Sequence, residues 1–278
     1  MKAILCTHFG TPDQLELADI APPHAAPGEA VVRVKAAALN FFDTLIIAGK
    51  YQQKPPFPFS PVAEFSGVVE STGAGVTEVS PGDRVMTFLG WGAAREAIAA
   101  PAQQLIKIPE RLDFDRAAGL CITYGTSLYA LRERAQLKAG ETLAVLGASG
   151  GAGLAAVELG KLMGARVIAC ASSDEKLAFA RAHGADETIN YATENLRDAL
   201  KQHGGEHGID VVYDPVGGPY AEPAVRSLAW QGRYLVVGFT AGEIPKIPLN
   251  LVLLKSCDIR GVFWGSWSKR EPQAQNAL

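Results

Sequence analysis

The sequence predicts an α/β protein in which a doubly wound parallel sheet follows a smaller β-rich domain. Three observations carry this. From Glu141 onward, short β-branched runs alternate with helical patterns at regular spacing. The first of these runs, TLAVLGASGGAG (Thr142–Gly153), passes from an apolar strand through a glycine cluster straight into a helical pattern. Residues 1 to about 100 carry short alternating segments broken by Pro and Gly, the signature of a small barrel or sandwich.

Taken in order, Pro22-Pro23 and Pro27-Gly28 punctuate the chain before a strand in which Val32, Val34 and Ala36 alternate with Arg33 and Lys35. In EFSGVVESTGAGVTEVSPGDRVMTF, starting at Glu64, two short strands are expected to flank Gly73-Ala74-Gly75. Pro81-Gly82-Asp83 turns into a third. Asp113 to Arg134 reads as helical around an almost uncharged middle, which implies burial. The domain boundary is placed near Ile122. Strand 142–147 then leads into a helix from about Ala152 to Met163, stopped by Gly164. Strand 166–171 precedes helix 174–183, strand 187–190 precedes helix 193–202, and strand 209–214 precedes helix 220–230. Strand 233–238 follows, with 258–263 a further candidate.

The glycine cluster is where chemistry is expected. A strand–turn–helix corner gathers free backbone N–H groups and the positive end of a helix dipole at one point, which suits a pyrophosphate. Gly150 and Gly151 allow close backbone approach to a ligand, with Ser149 beside them, and Gly153 allows the helix to pack on the strand. The same letters contain G-x-S-x-G (Gly147 to Gly151 around Ser149), the nucleophile-elbow pattern of α/β-hydrolases. That reading needs a His late in the fold, and none of His8, His24, His183, His203 or His207 follows Asp214, the best-placed strand-end carboxylate. It also leaves the β-rich first third without a purpose. The dinucleotide reading expects an acid at the tip of the second strand for NAD, or its absence with a nearby cation for NADP. The tip is Ala171-Ser172-Ser173-Asp174-Glu175-Lys176, so the nearest positions are serines. This favours NADP, with Lys176 neutralising a 2′-phosphate. Asp174 keeps NAD open, and Ser172 with Glu175 also reads as a capping box.

Composition narrows the class. The chain has 278 residues, 48% hydrophobic and 20% charged, with formal net charge −3. These values fit a globular protein with an ample core. No Lys/Arg block suggests a nucleic-acid or anionic-membrane surface. The apolar run in MKAILCTHFG is too short for a signal peptide, and no stretch is long enough to span a bilayer. Cys6, Cys121, Cys170 and Cys257 are scattered, which reads as reduced thiols and a cytoplasmic location. His203-Gly204-Gly205-Glu206-His207 fits H-x-x-E-H, but two glycines in a surface loop argue against a metal site.

Five segments together resemble the medium-chain dehydrogenase/reductase superfamily, in its zinc-free NADPH:quinone oxidoreductase (zeta-crystallin-like) branch. They are ALNFFDTLIIAGKY (Ala38–Tyr51), GVVESTGAGVTEVSPGDRV (Gly67–Val85), TYGTSLYAL (Thr123–Leu131), ASGGAG (Ala148–Gly153) and VVYDPVGG (Val211–Gly218). The resemblance covers essentially the whole chain. It implies a GroES-like β-barrel domain at 1–122 joined to a Rossmann domain at 123–262, with the active site in the cleft between them. Residues 263–278 would begin a C-terminal return segment. Zinc-using relatives carry Cys where this chain has Asn40, and His where it has Ala63 before Glu64. Zinc needs three protein ligands with thiolate or imidazole character, and these positions supply none, so no metal is expected here.

The resemblance also assigns residues. Asn40, Tyr51 and Thr126 match positions near the nicotinamide. Ser173, Lys176 and Tyr191 match those that hold the 2′-phosphate. Val216, Gly238 and Phe239 match cofactor-contacting strand ends, and Phe263 and Trp264 match walls of the nicotinamide pocket, the alternative for these two being core or interface aromatics. The implied reaction is hydride transfer from NADPH to a quinone, with Tyr51 as proton donor or carbonyl partner and Asn40 orienting. The alternatives are an NADPH-dependent enoyl or 2-alkenal reductase of the same fold, and a non-catalytic NADPH-binding protein in the manner of lens crystallins. A homodimer through the edge strand 258–263 is expected. Relatives continue beyond the point where this chain stops, inside an expected helix 269–278. The chain thus reads as a truncated or divergent form.

Overall fold

The computed structural model describes residues 1–271 and 274–275. The chain divides into two compact units, Met1–Ile122 and Thr123–Leu278, each with its own core.

In the first unit, β1 (Lys2–Leu5) pairs antiparallel with β2 (Glu16–Asp19). Strand β3 (Glu29–Ala38) leads into helix α1 (Phe41–Ile47). Strands β4 (Glu64–Thr72), β5 (Arg84–Phe88), β6 (Ala97–Pro101) and β7 (Ile106–Lys107) follow, then helix α2 (Phe114–Ala118). The larger sheet is antiparallel in the order β6-β3-β4-β5-β7. Alternation along β3 runs as its sequence dictates: Arg33 and Lys35 are exposed, while Val32 joins Phe65, Val69, Val85 and Ile98 in the core. One expectation fails. No strand forms between Gly75 and Gly82. Residues 76–80 find no partner edge, and Val79 enters the core from irregular backbone. Gly82, at φ +93°, carries the chain directly into β5.

The expected helix 113–134 is three pieces. Helix α2 is capped by Asp113, whose carboxylate accepts the Arg116 N–H, and it ends at Gly119. Helix α3 (Leu120–Leu128) begins with the last residues of the first unit. A π-helical segment (Tyr129–Ala135) completes the run. Much of the uncharged middle is only half-buried; Ala117, Ala118, Ser127 and Tyr129–Leu131 are its buried members.

The second unit alternates strand and helix. In order it contains β8 (Thr142–Leu146), α4 (Gly151–Leu162), β9 (Arg166–Ala171), α5 (Asp174–Ala182), β10 (Glu187–Asn190), α6 (Leu196–Gly204) and β11 (Ile209–Asp214). It continues with α7 (Ala221–Arg226), β12 (Leu228–Val236), α8 (Leu249–Lys255), β13 (Asp258–Gly261) and α9 (Trp264–Arg270). All pairings are parallel, in the order β10-β9-β8-β11-β12-β13. This is the doubly wound order that reverses between β8 and β11. Strands β8, β9 and β11 are apolar on both faces because helices cover both; Val145, Val167, Ile168 and Val212 are fully buried.

Several boundaries shift from expectation for identifiable reasons. Helix α6 starts at Leu196 because Asn195 caps it, accepting the Asp198 N–H at 3.1 Å. Helix α7 ends at Arg226, since Leu228 is already paired with Ile209 of β11. The spacing of Val225, Leu228 and Ala229 suits a helix equally well, so only the long-range partner decides. At the C-terminus α9 precedes the expected helix 269–278, of which residues 272, 273 and 276–278 lie outside the described residues. The described residues after Val262 belong to the second unit, where Trp267 stacks on Tyr129 at 4.5 Å. Among the described residues, no helix is long and apolar enough to cross a membrane.

Candidate functional site

The glycine corner sits at the carboxyl end of β8, beside the point where strand order reverses. Gly147 adopts φ +60°, and a Cβ there would stand 2.9 Å from Val216 Cγ2, so the loop after β11 touches the glycine turn. The Gly150 N–H closes the turn onto the Gly147 carbonyl at 3.0 Å. Gly150 then heads α4, whose first-turn N–H groups have no partners within the helix. A Cβ on Gly153 would lie 2.2 Å from the Gly147 carbonyl oxygen. Gly153 therefore closes the helix onto the turn itself, and the contact of helix on strand is made by Gly160, where a Cβ would meet Leu143 at 2.5 Å. Ser149 is half-buried, while Gly150 and Gly151 are exposed on the open side. A cradle of small residues with inward N–H groups fits a pyrophosphate.

Two strand tips, those of β9 and β10, lie on one side of this corner. After β9, Ser173 caps α5, its hydroxyl accepting the Lys176 N–H. The cap is thus Ser173, where the sequence pointed to Ser172, because β9 runs to Ala171 and the helix opens at Asp174. Ser172 instead accepts the Lys176 Nζ at 3.0 Å. Asp174 turns away from the tip: its Oδ1 accepts the Asn190 Nδ2–H at 2.8 Å. Tyr191 follows β10, its N–H on the Ala171 carbonyl and its ring against Tyr220 at 4.4 Å.

The loops after β11 and β12 are stitched together. Thr240 and Ala241 N–H groups donate to the Pro215 and Val216 carbonyls. A Cβ on Gly217 would meet the Phe239 ring at 2.9 Å, and one on Gly238 the Pro215 carbonyl at 3.2 Å. Phe239 and Phe263 are partly exposed, whereas Trp264 is buried. The Trp264 ring covers Gly125, next to Thr126, and its Nε1–H donates to Gln275 at 2.7 Å.

In the first unit, Asn40 and Tyr51 flank α1. The Asn40 N–H donates to Asp43 Oδ2 at 2.7 Å, and its Nδ2–H to Glu64 Oε1 at 2.9 Å. Glu64 is fully buried, and burial pushes its carboxyl up to about 7. Asp43, also buried, is pushed up to about 6. Tyr51 packs beside Phe42 at 5.4 Å against the Cys6, Ile46, Ile47 and Phe59 cluster. Burial raises its phenol, so the hydroxyl stays protonated at neutral pH.

Comparison with known proteins decides the family. Residues 26–110 match the alcohol dehydrogenase GroES-like domain, and residues 151–278 match the family described as zinc-binding dehydrogenase. Over 271 residues the chain is 40% identical to quinone oxidoreductase-like protein 2 of Rattus norvegicus, covering 97% of this chain and 77% of that protein. The chain belongs to the medium-chain dehydrogenase/reductase superfamily, in its quinone oxidoreductase-like branch. The human quinone oxidoreductase is 34% identical over 276 residues, 98% of this chain and 83% of its own. An Escherichia coli quinone oxidoreductase, solved in complex with NADPH, superposes with TM-score 0.92 at 28% identity, covering 100% of this chain and 86% of its own. Like these relatives, the chain is an oxidoreductase, built from a GroES-like domain and a Rossmann-type sheet.

Within that family frame, three residues stand out that the sequence did not single out for these roles. Asp214 holds the loop after β11: its Oδ1 accepts the Val216 and Gly217 N–H groups at 2.7 and 2.8 Å, and its Oδ2 accepts the Tyr234 hydroxyl. Every oxygen is thus committed to structure, which removes it as a hydrolase acid. Ser127 joins α3 to the start of α4, donating to the Ala152 carbonyl at 2.9 Å and meeting the buried Tyr213 hydroxyl at 2.9 Å. Asn190 reaches back to Asp174. The one readable signal for any of them was a strand-end Asp before Pro-x-Gly-Gly. His203 and His207 point to different acids, Glu187 at 3.9 Å and Asp210 at 2.8 Å.

Proposed function

We propose that this chain is an NADPH-dependent oxidoreductase that passes a hydride to a quinone or a similar electron-poor acceptor, without zinc. The observation that carries the cofactor choice is the tip of β9. Lys176 lies over Ser172, Ser173 caps α5, and the acid nearest the strand end, Asp174, is occupied by Asn190. A 2′-phosphate finds a cation and hydroxyls there, with Tyr191 alongside and the nearest carboxylate turned to Asn190. The N-terminus of α4 with Ser149, Gly150, Gly151 and Gly153 takes the pyrophosphate. Thr126, Val216, Gly238, Phe239, Phe263 and Trp264 serve the nicotinamide end. Bound there, the cofactor supplies a hydride from its nicotinamide C4.

The zinc-free part rests on donor chemistry. Asn40 and Ala63 offer neither thiolate nor imidazole, and both Glu64 oxygens accept protein N–H groups. Among the described residues no group of three His, Cys, Asp or Glu is arranged to hold a metal. The four free cysteines accord with a reducing, cytoplasmic setting.

Asn40 and Tyr51 supply polar groups to the acceptor. A quinone that gains a hydride takes its proton from solvent, whereas an enone gains from a positioned donor. The half-buried, protonated Tyr51 hydroxyl favours enone or enoyl reduction as the second reading. The test follows NADPH oxidation with both acceptor types. Tyr51→Phe should keep quinone turnover within about twofold and lower enone turnover by about 10- to 100-fold. Equal turnover on both would remove the role of Tyr51, and NADPH binding without any acceptor-dependent oxidation would favour the non-catalytic reading.

A homodimer completes the proposal. Strand β13 is one of the two edge strands of its sheet among the described residues, and Asp258 and Arg260 share one face, paired at 2.5 Å. Aligned antiparallel with a second copy about Ile259, Asp258 of each copy lies across from Arg260 of the other. Exposed Leu249, Leu253 and Leu254 on the preceding α8 add apolar surface. By light scattering, Asp258→Arg should give a monomer and the exchange Asp258→Arg with Arg260→Asp should restore the dimer. A dimer indifferent to the single reversal would place the interface elsewhere.

A further inference from the structure

We propose that Glu64 is a positioning residue, whose buried carboxylate fixes which end of the Asn40 side-chain amide faces inward. The inference rests on the reading of Asn40 as a residue that serves the reaction. Glu64 opens β4, with Ala38 of β3 on one side and Phe88 of β5 on the other, so its backbone is held from both edges. Its side chain is fully buried. Oε1 accepts the Asn40 Nδ2–H at 2.9 Å, and Oε2 accepts the Ile122 N–H at 2.9 Å. The Asn40 main chain has a separate anchor in Asp43, at 2.7 Å. One carboxylate thus sets where Asn40 sits, and another sets which way its amide points.

The chemistry leaves little freedom. Each Glu64 oxygen accepts an N–H, so the amide presents its NH₂ end to Glu64 and holds Oδ1 on the opposite side. A role confined to filling space would be met at lower cost by an apolar side chain, because burying a carboxyl is expensive even when it is hydrogen-bonded. That cost is visible in the upward push on Glu64, with Asp43 adding repulsion.

Glu64→Gln inverts the arrangement without opening a hole. The Ile122 N–H belongs to the backbone and cannot turn, so the Gln oxygen must accept it. The Gln NH₂ then faces Asn40, whose amide has to flip and present Oδ1 inward. Volume is kept and only the long 3.4 Å donation from Asn40 to the Ala38 carbonyl is lost, while the polarity that Asn40 shows a ligand is reversed.

The experiment compares wild type, Glu64→Gln, Asn40→Ala and the double variant in NADPH oxidation with a quinone, alongside thermal melts. Glu64→Gln should melt within a few degrees of wild type yet lose about tenfold or more in kcat/KM. The double variant should be no worse than Asn40→Ala alone. Losses that multiply in the double variant would overturn the inference. So would a fully active Glu64→Gln beside an impaired Asn40→Ala, which leaves the reading of Asn40 standing. A fully active Asn40→Ala overturns both. A readout free of cofactor and variant folding comes from nitrogen–proton correlation spectra of the wild type. One Asn40 amide proton should lie downfield and exchange slowly with water. A freely exchanging, unshifted pair would overturn the inference.

Discussion

Gly153→Val should abolish NADPH binding, weakening it at least about 100-fold, and should lower the melting temperature. The reason is a backbone collision with no flexible side chain to yield. A Cβ at this position lies 2.2 Å from the Gly147 carbonyl oxygen and 2.9 Å from its carbonyl carbon. Relief requires α4 to move away from the turn, which carries its first N–H groups off the point where they converge. Overpacking of this kind costs about 1–3 kcal/mol, and more when only backbone can give way. Each kcal/mol corresponds to roughly 2–4 °C for a unit of this size, so a fall of about 5–10 °C is expected. Gly150→Ala is the contrasting case, since its Cβ meets only the Gly147 oxygen at 3.4 Å. It should fold normally and lose affinity only through the methyl facing the ligand. Fluorescence titration with a thermal melt checks both. Wild-type affinity in Gly153→Val would show that the corner does not hold the cofactor.

Asp214→Ala should be among the most destabilising single substitutions in the second unit, by roughly 3–5 kcal/mol. It orphans three donors at once in a buried site: the Val216 and Gly217 N–H groups and the Tyr234 hydroxyl. Each orphaned buried group costs about 1–3 kcal/mol. Asp214→Asn should cost about 1 kcal/mol or less, because the amide oxygen still accepts both N–H groups and the Tyr234 hydroxyl can rotate to accept from the amide. The asymmetry separates a structural acceptor from a catalytic acid, for which Asn would be as damaging to turnover as Ala. Denaturant melts of the two variants check this. Equal stability of Ala and Asn would contradict the bonding described here.

Much of this was legible along the chain because local pattern and tertiary environment agree. Strands β9, β10 and β11 lie where their apolar runs place them, and the strand–turn–helix corner could be read locally, although its spacing fitted two chemistries. What could not be read depends on partners distant in sequence. Leu228 and Ala229 suit helix and strand equally, and pairing with Ile209 chooses strand. Gly160, unremarkable in a helical pattern, is the residue that lets α4 lie on Leu143. At the site, Lys176 stood out by its place after a strand, whereas Tyr191 was raised only by the family resemblance. The occupation of Asp174 by Asn190 was not legible, since it joins two strand ends 16 residues apart. Glu64 gave no sign of its partners either. A lone acid at the head of a strand says nothing of Ile122, 58 residues away.

The most direct test of the account is a fluorescence titration of the wild-type chain and Lys176→Ala with NADPH and, separately, NADH. Wild type should bind NADPH at least about tenfold more tightly than NADH, the scale of one charge-assisted phosphate contact. Lys176→Ala should lose most of that preference while NADH binding stays unchanged. Equal affinity for the two cofactors, or a preference that survives Lys176→Ala, would contradict the assignment of the β9 tip as a 2′-phosphate site.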